Sequence, residues 1–375
     1  MMLKEVCSIK MGQSPASDSY NDNGEGVPFF QGNADFGERY PVARKWCSAP
    51  MKMAEPEDIL ISVRAPIGAL NYAKEECCIG RGLAALTPNK SKILPEFMFW
   101  LLKGKTAELN SKGTGSTFKA IGRKVLEEIL VPDIGIDQQA EYSAILEKIN
   151  GIIQLRKQEL QKLDELIKSR FVEMFGDPDE NPKHWKEDEL GNYLEVIGGY
   201  AFKSDGFTDK GIPVLRIGNI NSGKFLPVNM VFWPEDSALI RYKVFAGDLV
   251  MSLTGTVGKD DYGNVCILGT DYNEYYLNQR NAKLSIREML NKYYFSELLK
   301  FSQIKKRLTG ISRGVRQANI SNKDILTLRV PIPPMALQER FSTFIIQTDK
   351  SKVAIQKALD ETQLLFDSLM QKYFG

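Results

Sequence analysis

Apolar and polar positions follow two rhythms along this chain, and each rhythm occurs twice. The short apolar runs Ile59-Leu60-Ile61-Ser62-Val63 and Val250-Met251-Ser252-Leu253 have the length and branched content of interior strands. Helical spacing predicts a short helix over 96–103 and a partner near 291–301. Two longer stretches, 138–175 and 336–374, contain no proline and, apart from Gly151, no glycine. Stepping alternately by three and four from Leu146 reaches Ile149, Ile153, Arg156, Leu160, Leu163, Ile167, Arg170 and Met174. In the second stretch the same steps meet Ile345, Thr348, Lys352, Ile355, Leu359, Thr362, Phe366, Leu369 and Tyr373. This heptad spacing predicts a seam between paired helices, with the polar members fixing register. About 37 residues at roughly 1.5 Å each make a rod of about 55 Å, longer than a globule of this size needs. The two helices are therefore expected to pack antiparallel on each other and to hold two globules apart.

The doubling is a tandem repeat. Gly26-Val27-Pro28-Phe29-Phe30 recurs as Gly211-Ile212-Pro213-Val214-Leu215, a shift of 185 residues. Asp58-Ile59-Leu60-Ile61-Ser62 matches Asp248-Leu249-Val250-Met251-Ser252 at a shift of 190. From Arg81 and Arg280 onward the shift is 199: Ile121 with Ile320, Val131-Pro132 with Val330-Pro331, Gln139 with Gln338, Leu160 with Leu359, Phe175-Gly176 with Phe374-Gly375. The growth means loop insertions totalling 14 residues in the second copy. Between the copies, 177–185 carries two prolines after a glycine and reads as a helix stop and linker.

Composition narrows the class. The chain has 375 residues, 43% hydrophobic and 26% charged, which suits packed globular domains. Five scattered cysteines (Cys7, Cys47, Cys77, Cys78, Cys266) fit neither a disulfide framework nor a zinc knuckle and are expected as reduced thiols. The N-terminal MMLKEVCSIKMGQ lacks an apolar signal core, and the longest apolar run, 97–102, is far short of the roughly 20 residues needed to span a bilayer. A cytoplasmic protein with no membrane association is expected.

Recognisable catalytic chemistry is missing. The one histidine, His184, lies in the linker, so metal sites of His or Cys type are not expected. There is no phosphate-binding Gly-x-x-x-x-Gly-Lys-Ser/Thr loop. No serine has an evident base partner, and no Asn/Asp-Pro-Pro-Tyr/Phe methyltransferase sequence occurs. The carboxylate pairs Glu75-Glu76, Glu127-Glu128 and Asp260-Asp261 read as solvated faces. A non-catalytic binding protein follows, without a cofactor or metal of its own.

The net charge of +2 hides an uneven distribution. Residues 1–138 balance at 17 basic and 17 acidic, 139–180 net −3, and 181–334 net +5. Each copy carries a basic, Gly/Ser-rich stretch at the same repeat position. The first runs through Lys112, Thr114, Ser116 and Lys119. The second runs through Lys305, Lys306, Arg307, Ser312, Arg313, Arg316 and Gln317. Glycine permits close approach, hydroxyls donate to phosphate, and Arg or Gln reads base edges. Gln31, Asn33 and Arg64 align with Arg216, Asn219 and Thr254 as further DNA-binding candidates. The shared Arg81 and Arg280 fit either an internal carboxylate pair or an exposed contact.

With these units in view, the chain resembles the specificity (S) subunits of type I restriction-modification enzymes. The likeness rests on Met174-Phe175-Gly176-Asp177-Pro178 with Asn181-Pro182-Lys183-His184-Trp185, on Pro331-Ile332-Pro333-Pro334 with Leu337-Gln338-Glu339, and on Leu365-Phe366-Asp367-Ser368-Leu369-Met370. The first copy has Asp133-Ile134-Gly135 in place of the prolines, a local difference at the helix entry. The resemblance implies an α+β chain with pseudo-two-fold tandem repeats. Two similar α/β target recognition domains (1–137 and 186–335) would be separated by two long antiparallel coiled-coil helices (138–176 and 336–375), with 177–185 as linker. It implies a subunit that reads a bipartite, non-palindromic site in double-stranded DNA. Two methyltransferase (M) subunits and restriction/motor (R) subunits would complete the complex, and S-adenosylmethionine, ATP and Mg would belong to those partners. The alternatives are a stand-alone DNA-binding regulator, or orphan specificity subunit, and a coiled-coil scaffold that binds no DNA.

Overall fold

A computed structural model describes residues 1–115, 119–310 and 317–375. The chain forms two compact units, one of Met1–Gln158 with Gln356–Gly375 and the other of Glu159–Ile355.

In the first unit, the strands Cys7–Met11, Leu83–Pro88, Ile59–Ser62 and Leu70–Tyr72 form an antiparallel sheet in that order. All four side chains of Ile59–Ser62 are buried, as the uninterrupted apolar run predicts for an interior strand. A second sheet runs Tyr20–Asn21, Trp46–Cys47, Val27–Phe30, Cys77–Ile79, Met53–Ala54. Its parallel pair aligns Phe29 with Cys78. Phe30, Leu60, Ile79, Leu83 and Ala85 make a shared apolar core.

The second unit repeats the plan. Leu194–Gly198, Asn281–Ile286, Leu249–Ser252 and Val265–Ile267 form the antiparallel sheet. Val231–Trp233, Ile212–Leu215, Glu274–Leu277 and Lys243–Phe245 form the other, again with one parallel pair, Val214 opposite Tyr276. Even minor pairings recur. Met2 bridges Leu130 in the first unit, and Glu189 lies opposite Arg329 in the second. Arg64 bridges Ala120, and Thr254 lies opposite Asn319. Backbone register thus reproduces the repeat read from the sequence with one correction: Ser62 lies opposite Leu83 and Ser252 opposite Asn281, so the counterpart of Arg280 is Gly82, not Arg81, and the shift over this strand is 198.

The predicted short helices are Pro95–Gly104 and Lys292–Leu298, and the long ones are Ile136–Phe175 and Met335–Phe374. The long helices begin at equivalent positions, so the missing prolines of the first copy do not move the helix entry. Each entry carries a buried glutamine. Gln139 accepts from Leu94 N–H (2.9 Å) and donates to the Lys92 and Ile134 carbonyls (3.1 Å each). Gln338 accepts from Asn291 N–H (2.8 Å) and donates to the Met289 (3.4 Å) and Pro333 (2.8 Å) carbonyls. The glutamines thereby satisfy main-chain groups at the start of the neighbouring short helix.

Each unit contains the start of one long helix against the end of the other. In the first, Tyr142 stacks on Tyr373 at 3.8 Å, Trp100 meets Phe366 edge-on at 5.6 Å, and Arg156 donates to the Ala358 carbonyl and Thr362 hydroxyl. Of the expected seam positions in this unit, Leu146, Ile153, Leu359 and Phe366 are buried, while Ile149 and Leu369 are half-buried. In the second unit, Phe171 and Phe175 pack on Phe341 at 5.5 and 5.3 Å, and Lys352 pairs with Asp164 at 2.6 Å. Burial alone would depress the Lys352 ammonium. The bond and charge of Asp164, with Asp349 beside it, reverse this and hold it above the ordinary lysine value. Ile167 and Ile345 are buried here, and Leu160, Leu163 and Ile355 are half-buried. No helix among the described residues is long and apolar enough to cross a membrane.

Candidate nucleic-acid interface

Beyond the interior strand Ile59–Ser62, the chain emerges at Arg64 and meets the end of the first basic stretch. Ala65 N–H donates to the Lys119 carbonyl (3.0 Å), and Ile121 N–H to the Val63 carbonyl (2.9 Å). Ala120 bridges both Thr114 and Arg64. In the second unit, Ile320 N–H donates to the Leu253 carbonyl (2.9 Å), and Gln317 lies opposite Thr256. The described ends of the two basic stretches, Lys119–Ala120 and Gln317–Asn319, therefore pair beside the same strand end. Local pairing puts Arg64 opposite Ala120 and next to Lys119, with Thr114 on the other side of Ala120, and Thr254 beside the strand that begins at Gln317.

Arg64 also lines a cleft of about 420 Å³ with Ser14, Tyr20, Gln31, Arg81 and Gly82. The cleft exists because two turns approach closely. A Cβ added at Gly82 would lie 2.2 Å from the Gln31 carbonyl oxygen, so only glycine fits there. Gln31 N–H donates to the Asp35 carboxylate (2.9 Å), Arg81 N–H to Ser14 Oγ (3.4 Å), and Tyr20 Oη to the Pro15 carbonyl (2.7 Å). These bonds fix the backbone while the Gln31, Arg64 and Arg81 side chains remain exposed. Two guanidiniums and an amide are the groups that read guanine and adenine edges or hold phosphate.

Several residues expected at the interface do other work. Lys305 is only 7% exposed; its ammonium is taken by Asp260 and by Asn264 Oδ1 (2.6 Å), so it anchors a loop and does not face solvent. Arg307 pairs with Asp179 (2.6 Å) and Lys112 with Glu108 (2.6 Å). Asn219 is buried, accepts from Arg216 N–H (3.0 Å) and donates to the Leu226 and Val228 carbonyls (3.0 Å each). It shapes its own loop. In the first unit Asp35, not the aligned Asn33, accepts the equivalent bond from Gln31. Arg216 is half-buried and donates to the Asn229 carbonyl. Thr254 is buried and bonds Asn319 (3.2 Å). Thr114, Lys119 and Lys306 are exposed, and Asn33 is half-buried. Ser116, Ser312, Arg313 and Arg316 lie outside the described residues, as does the side chain of Gln317.

An internal carboxylate pair for Arg81 and Arg280 is not what the structure shows. Both are exposed, and neither has an ion-pair partner among the described residues. Ser14 and Tyr20 escaped the sequence analysis because they fall in a stretch where the copies do not align. The signal that finds them is the glycine pair Gly80 and Gly82, which brings the chain against Gln31. No group of three or more His, Cys, Asp or Glu able to hold a metal occurs among the described residues.

Comparison with known proteins gives one consistent result. The sequence model of the family described as "Type I restriction modification DNA specificity domain" matches residues 1–165 and again 182–362. A putative type I restriction enzyme MjaX specificity subunit from Methanocaldococcus jannaschii is 42% identical over 160 residues, 43% of this chain and 38% of that protein. The match therefore spans well under half of that relative's length. The type I restriction enzyme MjaIX specificity subunit of the same organism is 22% identical over 403 residues, covering 99% of this chain and 91% of that protein. Among solved structures, the type I restriction-modification system S subunit from M. genitalium matches with a TM-score of 0.60 at 16% identity, covering 100% of this chain and 95% of that one. A chain from a structure of the type I R-M system, described in terms of complex assembly and conformational transition, matches with a TM-score of 0.56 at 18% identity, covering 100% and 96%. At such identities the structural likeness is one of fold.

Proposed function

The chain belongs to the type I restriction modification DNA specificity family, and from that premise we propose that it is the specificity subunit that reads a bipartite, non-palindromic DNA site, one half per unit. One observation carries this reading. The same backbone plan occurs twice with unlike residues at equivalent positions, Arg64 against Thr254 and Gln31 against Arg216. With Gln31 and Arg64 exposed in the first unit and Arg216 and Thr254 bonded within the second, the two copies present different groups from one scaffold, as two similar readers of different sequences would. The long helices act as an antiparallel coiled-coil spacer. The partners are two methyltransferase subunits and restriction/motor subunits in the cytoplasm, and these use S-adenosylmethionine, ATP and Mg. Apolar side chains left exposed on the helices, Leu155 at 62%, Val353 at 69% and Leu364 at 72%, support docking of those partners.

The test is to add seven residues, one heptad, to the middle of each long helix and sequence the methylated bases. Two turns lengthen a helix by about 10 Å, which at roughly 3.4 Å per base pair is about three base pairs. The expected motif keeps both half-sites and widens the spacer. A change in the bases read at either half overturns the spacer reading. A footprint without any modification makes the chain a stand-alone binder instead.

A further inference from the structure

Strand register and turn bonds together fix which residues correspond at the turn that enters an inner strand of each antiparallel sheet. Gly80 N–H donates to the Phe30 carbonyl (2.8 Å), as Asn278 N–H does to the Leu215 carbonyl (3.3 Å). Leu83 N–H returns to the Gly80 carbonyl (3.0 Å), and Asn281 N–H to the Asn278 carbonyl (2.9 Å). Val63 N–H reaches the Gly82 carbonyl (2.9 Å), and Leu253 N–H the Arg280 carbonyl (2.8 Å). Gly80-Arg81-Gly82-Leu83 and Asn278-Gln279-Arg280-Asn281 are thus one turn with the same bonds, and the counterpart of Arg81 is Gln279. Arg81 N–H is tied to Ser14 Oγ (3.4 Å), and Gln279 N–H to the Tyr200 carbonyl (2.9 Å). Both side chains are exposed, and neither makes a hydrogen bond or ion pair among the described residues.

Two properties of this pair point to base recognition. The main chain beneath each side chain is held by the same bonds, so both groups start from a fixed place, as precise readout requires. The exchange also keeps a shape while changing its chemistry. Arg and Gln both end in a planar fork able to make two hydrogen bonds to one base edge. The guanidinium offers donors that match guanine O6 and N7, whereas the amide offers a donor and an acceptor that match adenine N7 and N6. A place that only held phosphate would keep its charge in both units, because every base pair presents the same phosphates. A cation does stay beside each fork: Arg64 shares the first unit's cleft with Arg81, and the exposed Arg280 adjoins Gln279. We propose that Arg81 and Gln279 are counterpart base-reading residues, Arg81 selecting guanine at one position of the first half-site and Gln279 adenine at the corresponding position of the second. This rests on the specificity-subunit reading and deepens it by naming one reading position on each copy of the scaffold.

The experiment selects bound duplexes from a randomised library with the full chain. Arg81→Gln exchanges guanine for adenine at one position of the first half-site, a preference of about tenfold or more, and leaves the second half-site as in the wild type. Gln279→Arg makes the opposite exchange in the second half-site alone. Arg81→Ala accepts all four bases at its position. All three variants keep the wild-type unfolding midpoint, since the side chains they replace are exposed and unbonded. The assignment is overturned if Arg81→Gln selects the wild-type sequence, if its change falls in both half-sites, or if the midpoint drops as for a structural residue. It is equally overturned if Arg81→Ala weakens binding to every duplex alike and lowers the slope of log affinity against log salt by about 0.9, the mark of a lost phosphate contact. Failure of the underlying reading looks different: the wild-type chain itself then selects no bipartite sequence from the library.

Discussion

Gln139 offers a sharp test of how each long helix is joined to its unit. The residue is 0% exposed, and its amide serves three main-chain groups: Leu94 N–H, the Lys92 carbonyl and the Ile134 carbonyl. Gln139→Ala leaves all three without that partner. At about 1 kcal/mol net per bond the loss is about 3 kcal/mol. Since about 1.4 kcal/mol is tenfold, the Leu94 amide should exchange its proton roughly 10²-fold faster in native-state hydrogen exchange. Gln139→Glu keeps the acceptor, loses both donors and points carboxylate oxygens at two carbonyls, so it should do no better than alanine. Gln338→Ala should free the Asn291 amide by a similar factor and leave Leu94 unaffected, because the two sites share no partner. Leu94 exchange within about five-fold of wild type would refute the assignment of Gln139 as the fastener.

Lys305→Ala is expected to lower stability in urea by about 1–2 kcal/mol, the solvent-facing Asp260 limiting the ion-pair share. It should leave the salt slope of DNA binding unchanged; a lowered slope would restore Lys305 to the interface. The Asp188 carboxyl is held down at about 2, first by the Lys186 side chain and then by the Glu189 N–H, with Tyr193 and Asn192 adding bonds. Its folded value lies below its unfolded value, so its contribution is present above about pH 4 and fades as pH falls toward 2. Carboxyl NMR titration should place it there, and Tyr193→Phe should move it upward. Burial pushes the Cys7, Cys77 and Cys266 thiols up to about 12. A thiol reagent at pH 8 should therefore label none of the three until urea unfolds the chain, and prompt labelling would contradict their burial.

The repeat, one interior strand in each copy and the short and long helix of each copy were legible without coordinates. Interior strands at 59–63 and 250–253 and helices ending at Phe175 and Phe374 follow from local periodicity. The same shift that aligned Gln139 with Gln338 predicted equivalent places, and the structure gives both the same task. The basic stretches were also legible as matching segments, and the described end of each pairs beside the same strand end in its unit.

Which charges stay free was not legible. Lys305 and Lys306 are adjacent and chemically alike, yet one is buried against Asp260 and the other exposed. Asn33 and Asn219 align, but only Asn219 caps its turn, while Asp35 does so in the first unit. The cleft lining Ser14, Tyr20 and Arg81 is assembled from turns distant in sequence. Sequence by itself determined the duplication, the strongly periodic strands and helices and the charge pattern, because these depend on periodicity and composition within short windows. Tertiary structure alone decided which polar groups meet a partner, because the energy of a buried ion pair or amide depends on groups brought together from far along the chain.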